Sequence, residues 1–203
     1  MLSRRTALLV TAVLLTALLG AVLTVDFRAM ESETDTDASV STYRVNHAIA
    51  PRDGPLTLIV LGDGADAERL ATDLSNALKD EQDGWPAVVL AEDGRDTVDG
   101  PVLVVSITES LVRYNPVSPS ARTRVDFGFV GNGDASFARR FAVGDRPVVI
   151  GSETPYVVGG SVAVTDRSRG LVSVPGYRSY LGEMIAEAVS EALTSAPGMS
   201  KTG

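Results

Sequence analysis

The stretch LTLIVLGDGADAERLATDLSNALKDEQDGWPAVVL, residues 56–90, decides the fold because it holds three elements of secondary structure in order. Residues 56–61 are a continuous apolar run of strand length, which is typical of a strand buried on both faces. Beyond the turn Gly62-Asp63-Gly64, apolar residues recur at helical spacing, and Asp66 is placed to cap that helix. Residues 85–90 form a second strand-like run. The pattern therefore predicts two parallel strands joined by a helix.

Downstream of residue 90 the sequence predicts further strands. After an acidic loop at 92–100, apolar or alternating runs predict strands at 102–107, 122–130, 135–143, 148–150 and 156–165. The turn Gly131-Asn132-Gly133-Asp134 would join the second and third of these strands in a hairpin. The pair Gly159-Gly160 predicts a β-bulge in the last strand.

The last predicted element is an amphipathic helix. Its apolar residues repeat at spacings of three and four from Tyr177 to Leu193, between Pro175-Gly176 and Pro197-Gly198. A single apolar stripe fits one buried face, which favours packing on the sheet over insertion into a groove of a partner. Together the elements predict an α+β domain at 43–196: a mixed, mostly antiparallel sheet with two main helices packed on it. Residues 197–203 are predicted to be a tail.

Upstream of residue 56 the composition changes twice. Residues 43–49 alternate between apolar and polar side chains, which predicts a half-buried first strand. Residues 29–42 are acidic, rich in hydroxyl groups and poor in large apolar side chains. Such a segment buries too little surface to offset the entropy cost of ordering, so it is predicted to be a flexible stalk.

Residues 6–25, TALLVTAVLLTALLGAVLTV, contain no charge and no proline. As a helix rising about 1.5 Å per residue they would measure about 30 Å, the thickness of the hydrocarbon core of a bilayer. Arg4 and Arg5 precede this segment and acidic residues follow it, so the N-terminus is expected in the cytoplasm and the rest outside. Residues 1–28 are therefore predicted to be a single-pass membrane anchor with a transmembrane helix at 6–25.

The alternative to a retained anchor is a secretory signal that is cleaved off, but no A-x-A cleavage motif follows the apolar core. Ser3-Arg4-Arg5 resembles the start of a twin-arginine export signal, so the general secretory and twin-arginine routes are both open.

The composition excludes several classes of partner. The net charge is −8, from 26 acidic against 18 basic residues, and lysine is almost absent. This profile resembles that of proteins from extreme halophiles. An acidic surface argues against nucleic acid and against a second attachment to anionic lipid. The chain has no cysteine, so no disulfide stabilises the exported domain.

The loop before the first helix carries the best candidate chemistry. Gly62-Asp63-Gly64-Ala65-Asp66-Ala67 fits the dinucleotide-binding pattern G-x-G-x-x-A between a strand and a helix. However, Asp63 and Asp66 would set two carboxylates against a pyrophosphate at a helix N-terminus that attracts anions, which favours a plain glycine turn. The loop also resembles the opening of the G-D-S-L lipase block, with Gly64 in place of the serine.

Other polar residues form no recognisable catalytic or metal-binding set. Asp93, Asp96 and Asp99 lack the spacing of an EF-hand loop, which favours a solvated loop over a calcium site. His47, the only histidine, lies on the apolar side of a predicted strand and has no cysteine or second histidine to complete a zinc site. The serines that could serve a Ser-His-Asp arrangement with it lack the G-x-S-x-G context; they are Ser106, Ser110 and Ser152.

No catalytic, cofactor-binding or metal-binding residue is therefore assigned, and no cofactor is expected. The anchor and the missing catalytic set favour a non-catalytic binding or assembly module of the cell envelope, tethered through residues 6–25 to the bilayer, with an envelope protein as candidate partner. The alternative is a surface hydrolase or metal-dependent enzyme that uses the Asp63/Asp66 loop.

Overall fold

The computed structural model describes residues 26–44, 54–62, 64–80, 85–144 and 156–199, with isolated helical positions between Val10 and Gly20. Within these residues, no helix is long and apolar enough to cross a membrane. The predicted transmembrane segment 6–25 lies largely outside them, as do Asp63, the predicted strand 148–150 and most of the predicted strand 43–49.

Six strands form one mixed sheet in the order β1-β6-β5-β4-β2-β3. Their bounds are β1 Arg28–Arg44, β2 Leu56–Leu61, β3 Val88–Leu90, β4 Val102–Arg113, β5 Ser120–Val130 and β6 Tyr156–Val172. β2 pairs in parallel with β3 and β4, and the other neighbours are antiparallel. The α+β class, the mostly antiparallel sheet and the parallel strand–helix–strand unit at 56–90 are confirmed.

Three helices in the described parts of the chain cover the sheet. Their bounds are α1 Ala65–Asp80, α2 Ala135–Val143 and α3 Val174–Thr194. α1 and α3 pack on one face, where their leucines and alanines meet the phenylalanines of β5. α2 packs on the other face, against Val104 of β4 and Val157 of β6. The stripe predicted for α3 is confirmed as core packing, since Tyr177, Leu181, Val189 and Leu193 are buried.

The sheet has two ends, an entry end and a far end. The entry end, where the chain enters the sheet, contains Arg28 of β1, Val172 of β6, Ser120 of β5 and Arg113 of β4. The far end contains Arg44 of β1, Tyr156 of β6, Val130 of β5 and Val102 of β4.

The predicted hairpin partner at 135–143 is wrong, because these residues form helix α2. The Asp134 carboxylate caps this helix by accepting a hydrogen bond of 2.9 Å from the backbone N–H of Phe137. Gly144 ends the helix in the left-handed region at φ 68°. Phe137 and Phe141 therefore lie four residues apart on a helix and meet edge to face, rather than lying on one face of a strand.

The predicted bulge at Gly159-Gly160 is also wrong, since β6 pairs with both neighbours without a break there. The glycines are required by close packing. A Cβ on Gly159 would meet the ring of Phe141 at 2.5 Å, and one on Gly160 would meet the ring of Phe127 at 2.6 Å. The register shift instead lies in β4, between Ile107 and Glu109.

Residues 29–42 are not a flexible stalk, because they belong to β1, which pairs with β6 along its whole length. The carboxylates of this edge strand are exposed, whereas Met30, Thr34 and Val40 on alternate positions are half-buried on the face that carries α3. Backbone pairing orders this segment, and composition does not reveal backbone pairing. The domain therefore begins at Arg28.

The predicted tail is wrong at its start. Met199 is 1% exposed and belongs to the core beside α3. The hydroxyl of Tyr156 donates a hydrogen bond of 2.8 Å to the carbonyl of Pro197. Residues 200–203 lie outside the described part of the chain.

Candidate functional site

A cavity of about 300 Å³ opens between the start of α1, the first half of α3 and the half of β4 that ends at Arg113. This volume is at the lower end of the range for small-ligand pockets. Its apolar lining consists of Leu70, Ile107, Val112, Leu181 and Ile185. Its polar lining consists of Asp66, Arg69, Ser110, Thr123 and Arg178. The cavity thus combines an apolar wall with a charged rim.

Two guanidinium groups and one carboxylate form the rim. Asp66 Oδ1 lies 4.0 Å from Arg69 Nη1 and 3.9 Å from Arg178 Nη1. Both separations are longer than a hydrogen bond. Arg69 Nη1 is buried and has no hydrogen-bond acceptor among the described residues. A buried donor without an acceptor is costly, so an anionic oxygen that reached this nitrogen would be bound favourably.

Asp66 has no partner here that could support acid–base catalysis. It lies inside the first turn of α1, which starts at Ala65, and so is not the N-cap that the sequence predicted. Its charged neighbours are guanidinium groups, which do not give up a proton. Ser110 lines the same cavity, but Ser106 does not. Asp63, His47 and Ser152 lie outside the described residues.

The aspartates of the acidic loop hold helix α2. Asp93 Oδ1 accepts a hydrogen bond of 2.8 Å from Arg139 Nη2, and Asp96 Oδ1 lies 3.8 Å from Arg139 Nη1. Asp99 belongs to neither ion pair. Across the described ranges, no three aspartate, glutamate, histidine or cysteine side chains gather closely enough to hold a metal ion. The structure thus gives two of these aspartates an ion-pairing role.

A second polar cluster fixes the helices behind the cavity. Glu183 of α3 accepts two hydrogen bonds of 2.6 Å from the guanidinium of Arg28, and this partner lowers the pKa of Glu183. Asp73 of α1 lies against Gly182, where a Cβ would collide with the carboxylate. Burial and the charge of Glu183 raise the pKa of Asp73. The Arg28–Glu183 pair therefore joins β1 to α3, whereas the carboxylates of Asp73 and Glu183 repel each other across the two helices.

Asp166 is a buried carboxylate that the sequence analysis missed. It is 0% exposed and accepts hydrogen bonds from Tyr177 at 2.7 Å, Ser168 at 2.8 Å and Thr34 at 3.1 Å. Burial and this carboxylate raise the pKa of Tyr177, so the phenol stays protonated and donates. A signal was present, because Asp166 continues the alternation of Val162 and Val164 toward the core. The cluster joins β1, β6 and α3.

The chain is fixed as it enters the domain. The backbone N–H of Phe27 donates a hydrogen bond of 3.1 Å to Ser173 Oγ. The N–H of Ser173 donates one of 3.2 Å to the carbonyl of Phe27. Arg28 then binds Glu183. Phe27 is therefore bound to the residue that caps α3, and Arg28 to the middle of that helix.

No protein-family model matches the chain, and no curated protein matches it. Among solved structures, it is similar to a single-substitution variant of the PelC dodecamer from Paraburkholderia phytofirmans, at 15% identity and a TM-score of 0.41, over 79% of this chain and 99% of that chain. Another crystal form of PelC from that organism matches at 10% identity and a TM-score of 0.35, over 77% of this chain and 97% of that chain. A candidate lipoprotein from Caulobacter crescentus matches at 15% identity and a TM-score of 0.34, over 68% and 83%. Similarity at these scores assigns no function.

Proposed function

We propose that this protein is a non-catalytic binding module of the cell envelope, held at the membrane by residues 6–25 with its α+β domain outside the cytoplasm. The ligand-binding part of this function is assigned to the cavity between α1 and α3. Its ligand is an anionic group attached to a small apolar body.

The observation that carries the binding function is the buried Arg69 Nη1, which has no hydrogen-bond acceptor in the described part of the chain. With Arg178 it gives the rim two positive charges against the one carboxylate of Asp66 in the cavity lining, while the charge of Asp73, behind the cavity, also acts on Arg69. In a chain of net charge −8, this rim is a local site for an anion. The apolar wall below it favours a ligand whose charged head carries a hydrocarbon part.

The membrane tether is supported by the sequence and by the entry of the chain. Residues 6–25 are uncharged and long enough for a bilayer core. Only Asp26 and Phe27 lie between Val25 and Arg28, the first residue of β1. The domain thus follows the apolar segment directly, without a stalk.

The test uses hexyl phosphate as a water-soluble probe and the full chain in lipid nanodiscs, with empty nanodiscs as the blank for partitioning. Isothermal titration should show binding of hexyl phosphate and little binding of hexanol. Arg69→Gln and Arg178→Gln should each weaken binding about tenfold, because a hydrogen bond to a charged group contributes about 1.5–3 kcal/mol. Arg95→Gln is the matched control, since Arg95 is exposed on the acidic loop.

Absence of hexyl phosphate binding to the unsubstituted chain would overturn the proposed ligand site. Equal weakening by Arg95→Gln and Arg69→Gln would do the same, because it would reduce the effect to general surface charge.

A further inference from the structure

Three large apolar side chains are exposed at or near the entry end of the sheet. Leu111, Val117 and Leu171 are 60%, 54% and 53% exposed. Leu111 is near the end of β4, Val117 lies in the loop between β4 and β5, and Leu171 is next to the last residue of β6. They are therefore contributed by three separate parts of the chain.

Hydrogen bonds hold these parts together. The N–H of Gly170 donates a hydrogen bond of 3.0 Å to the carbonyl of Val117. The N–H of Val172 donates one of 3.0 Å to the carbonyl of Pro116. The hydroxyl of Tyr114 donates 2.7 Å to the carbonyl of Val172. The loop is thus bound to the strand that pairs with the first residues of β1. Val117 and Leu171 therefore belong to one ordered surface.

Arginines surround this surface, although the chain as a whole is acidic. They are Arg113, Arg122, Arg167 and Arg169, and all are exposed. The carboxylates on the same part of the sheet and its entry are Asp26, Glu31, Glu33, Asp35 and Glu109. Four arginines against five carboxylates give this surface a net charge of −1, whereas the whole chain carries −8. An anionic lipid surface would therefore be repelled only weakly here.

The geometry of chain entry brings this surface close to the tether. Three residue-to-residue steps lead from Val25 to Arg28, so the two residues lie at most about 10 Å apart. Arg28 pairs with Val172, the neighbour of Leu171. If residues 6–25 span the bilayer as proposed, Arg28 lies within about 10 Å of the lipid headgroups, and Leu171, which is opposite Ala29, lies close to it.

We infer that the entry end is a second membrane-contact surface: Val117 and Leu171 insert among the lipid headgroups, and the arginines beside them bind lipid phosphates. Arginine suits this role because it places an apolar stem against hydrocarbon and a planar charged group against phosphate. This inference depends on the proposed tether. It fixes the orientation of the domain, with the far end directed away from the bilayer.

The absence of cysteine makes a direct test feasible, because a single introduced cysteine is the only labelling site. The full chain is reconstituted into vesicles of phosphatidylcholine and phosphatidylglycerol containing lipids with brominated acyl chains. An environment-sensitive fluorophore is attached in Val117→Cys or Leu171→Cys. Leu90→Cys is the matched control, because Leu90 is also half exposed but lies in β3, near the far end.

Labels at positions 117 and 171 should be quenched several-fold more strongly than the label at position 90. The intrinsic fluorescence of Trp85, which is buried in the core, reports whether each variant is folded. The substitution Arg169→Glu, added to Val117→Cys, should reduce quenching at position 117 in phosphatidylglycerol vesicles more than in pure phosphatidylcholine.

Flotation of the vesicles separates the two proposals. Protein that floats with the vesicles while all three labels are quenched equally would overturn the contact surface and leave the tether standing. Protein that does not float would overturn both. Quenching that is strongest at position 90 would also overturn the inference, because the domain would then face the bilayer with its far end.

Discussion

The far end and the entry end of the same sheet are stabilised in different ways. Toward the far end, helices cover both faces, and the core is apolar and aromatic, with Phe129 packed between Trp85 and Tyr156. Toward the entry end, α3 covers one face, and the buried centre is the carboxylate of Asp166 with its hydroxyl donors. Apolar burial is non-directional, whereas a buried carboxylate fixes the position of each donor.

The difference separates stability from positioning. The far end contributes most of the folding free energy, because it buries most of the large apolar side chains. The entry end fixes β1, β6 and the start of α3 relative to one another, and so fixes where the chain enters the domain. The following predictions test this division, beginning with the largest effect.

Phe129→Ala should destabilise the domain by about 3–5 kcal/mol, the usual loss for a fully buried phenylalanine. The side chain is 0% exposed and contacts two other rings, so the cavity left behind cannot collapse easily. Urea unfolding monitored by circular dichroism measures the loss. Leu111→Ala at the entry end is the control and should change stability by less than about 0.5 kcal/mol. Similar losses in both variants would contradict the division.

Tyr177→Phe should cost about 1.5–3 kcal/mol, because it removes a hydrogen bond to a buried carboxylate. Tyr114→Phe is the matched control at the same end, since its hydroxyl donates to the neutral carbonyl of Val172. That control should cost only about 0.5–1.5 kcal/mol. Hydrogen exchange should show increased opening of β1 in Tyr177→Phe. A variant as stable as the unsubstituted protein would show that the Asp166 cluster does not hold the entry end.

Asp73→Asn should raise stability at pH 7 by about 0.5 kcal/mol, a value reduced because the group is partly solvated. Burial raises the pKa of Asp73 in the folded state, so ionisation is less favourable there than in the unfolded chain. This cost is complete above the folded pKa and disappears as the pH falls below the unfolded value near 4. Glu183, whose pKa is lowered by Arg28, has the opposite sign and loses its contribution as the pH falls through its folded pKa.

Thermal unfolding of Asp73→Asn and Glu183→Gln between pH 3 and pH 7 checks these signs. Asp73→Asn should gain most at neutral pH, whereas Glu183→Gln should lose most there. Stabilisation by Asp73→Asn that persists at pH 3 would show that packing against Gly182, and not charge, is responsible.

Regularly spaced apolar residues made most of the fold predictable. The buried strand at 56–61, helix α1 and the stripe of α3 follow directly from the spacing of their side chains. The predictions were wrong where a single capping side chain, or pairing with a distant strand, determines the structure of a segment. Asp134 converts an apparent hairpin turn into a helix cap, and β6 orders a segment whose own composition is that of a disordered chain.

The cavity was predictable only in part. Asp66 was singled out, but not as part of this cavity, because its neighbour Arg178 is distant in sequence and reaches the site only when α3 packs beside α1. The lining from β4 likewise depends on how far that strand extends, which the predicted end at residue 107 missed. A site whose residues come from distant parts of the chain cannot be predicted from the spacing of residues along the sequence.

The pairing of β1 with β6 also constrains the order of folding. Arg28 and Val172 meet only after nearly the whole domain has been synthesised, because more than a hundred residues separate the two strands. Until then the first strand has no partner, and an apolar strand left waiting would aggregate. Its carboxylates and hydroxyls keep the nascent segment soluble during this delay. The acidic, hydroxyl-rich composition that made β1 resemble a linker therefore suits a strand that is synthesised first and paired last.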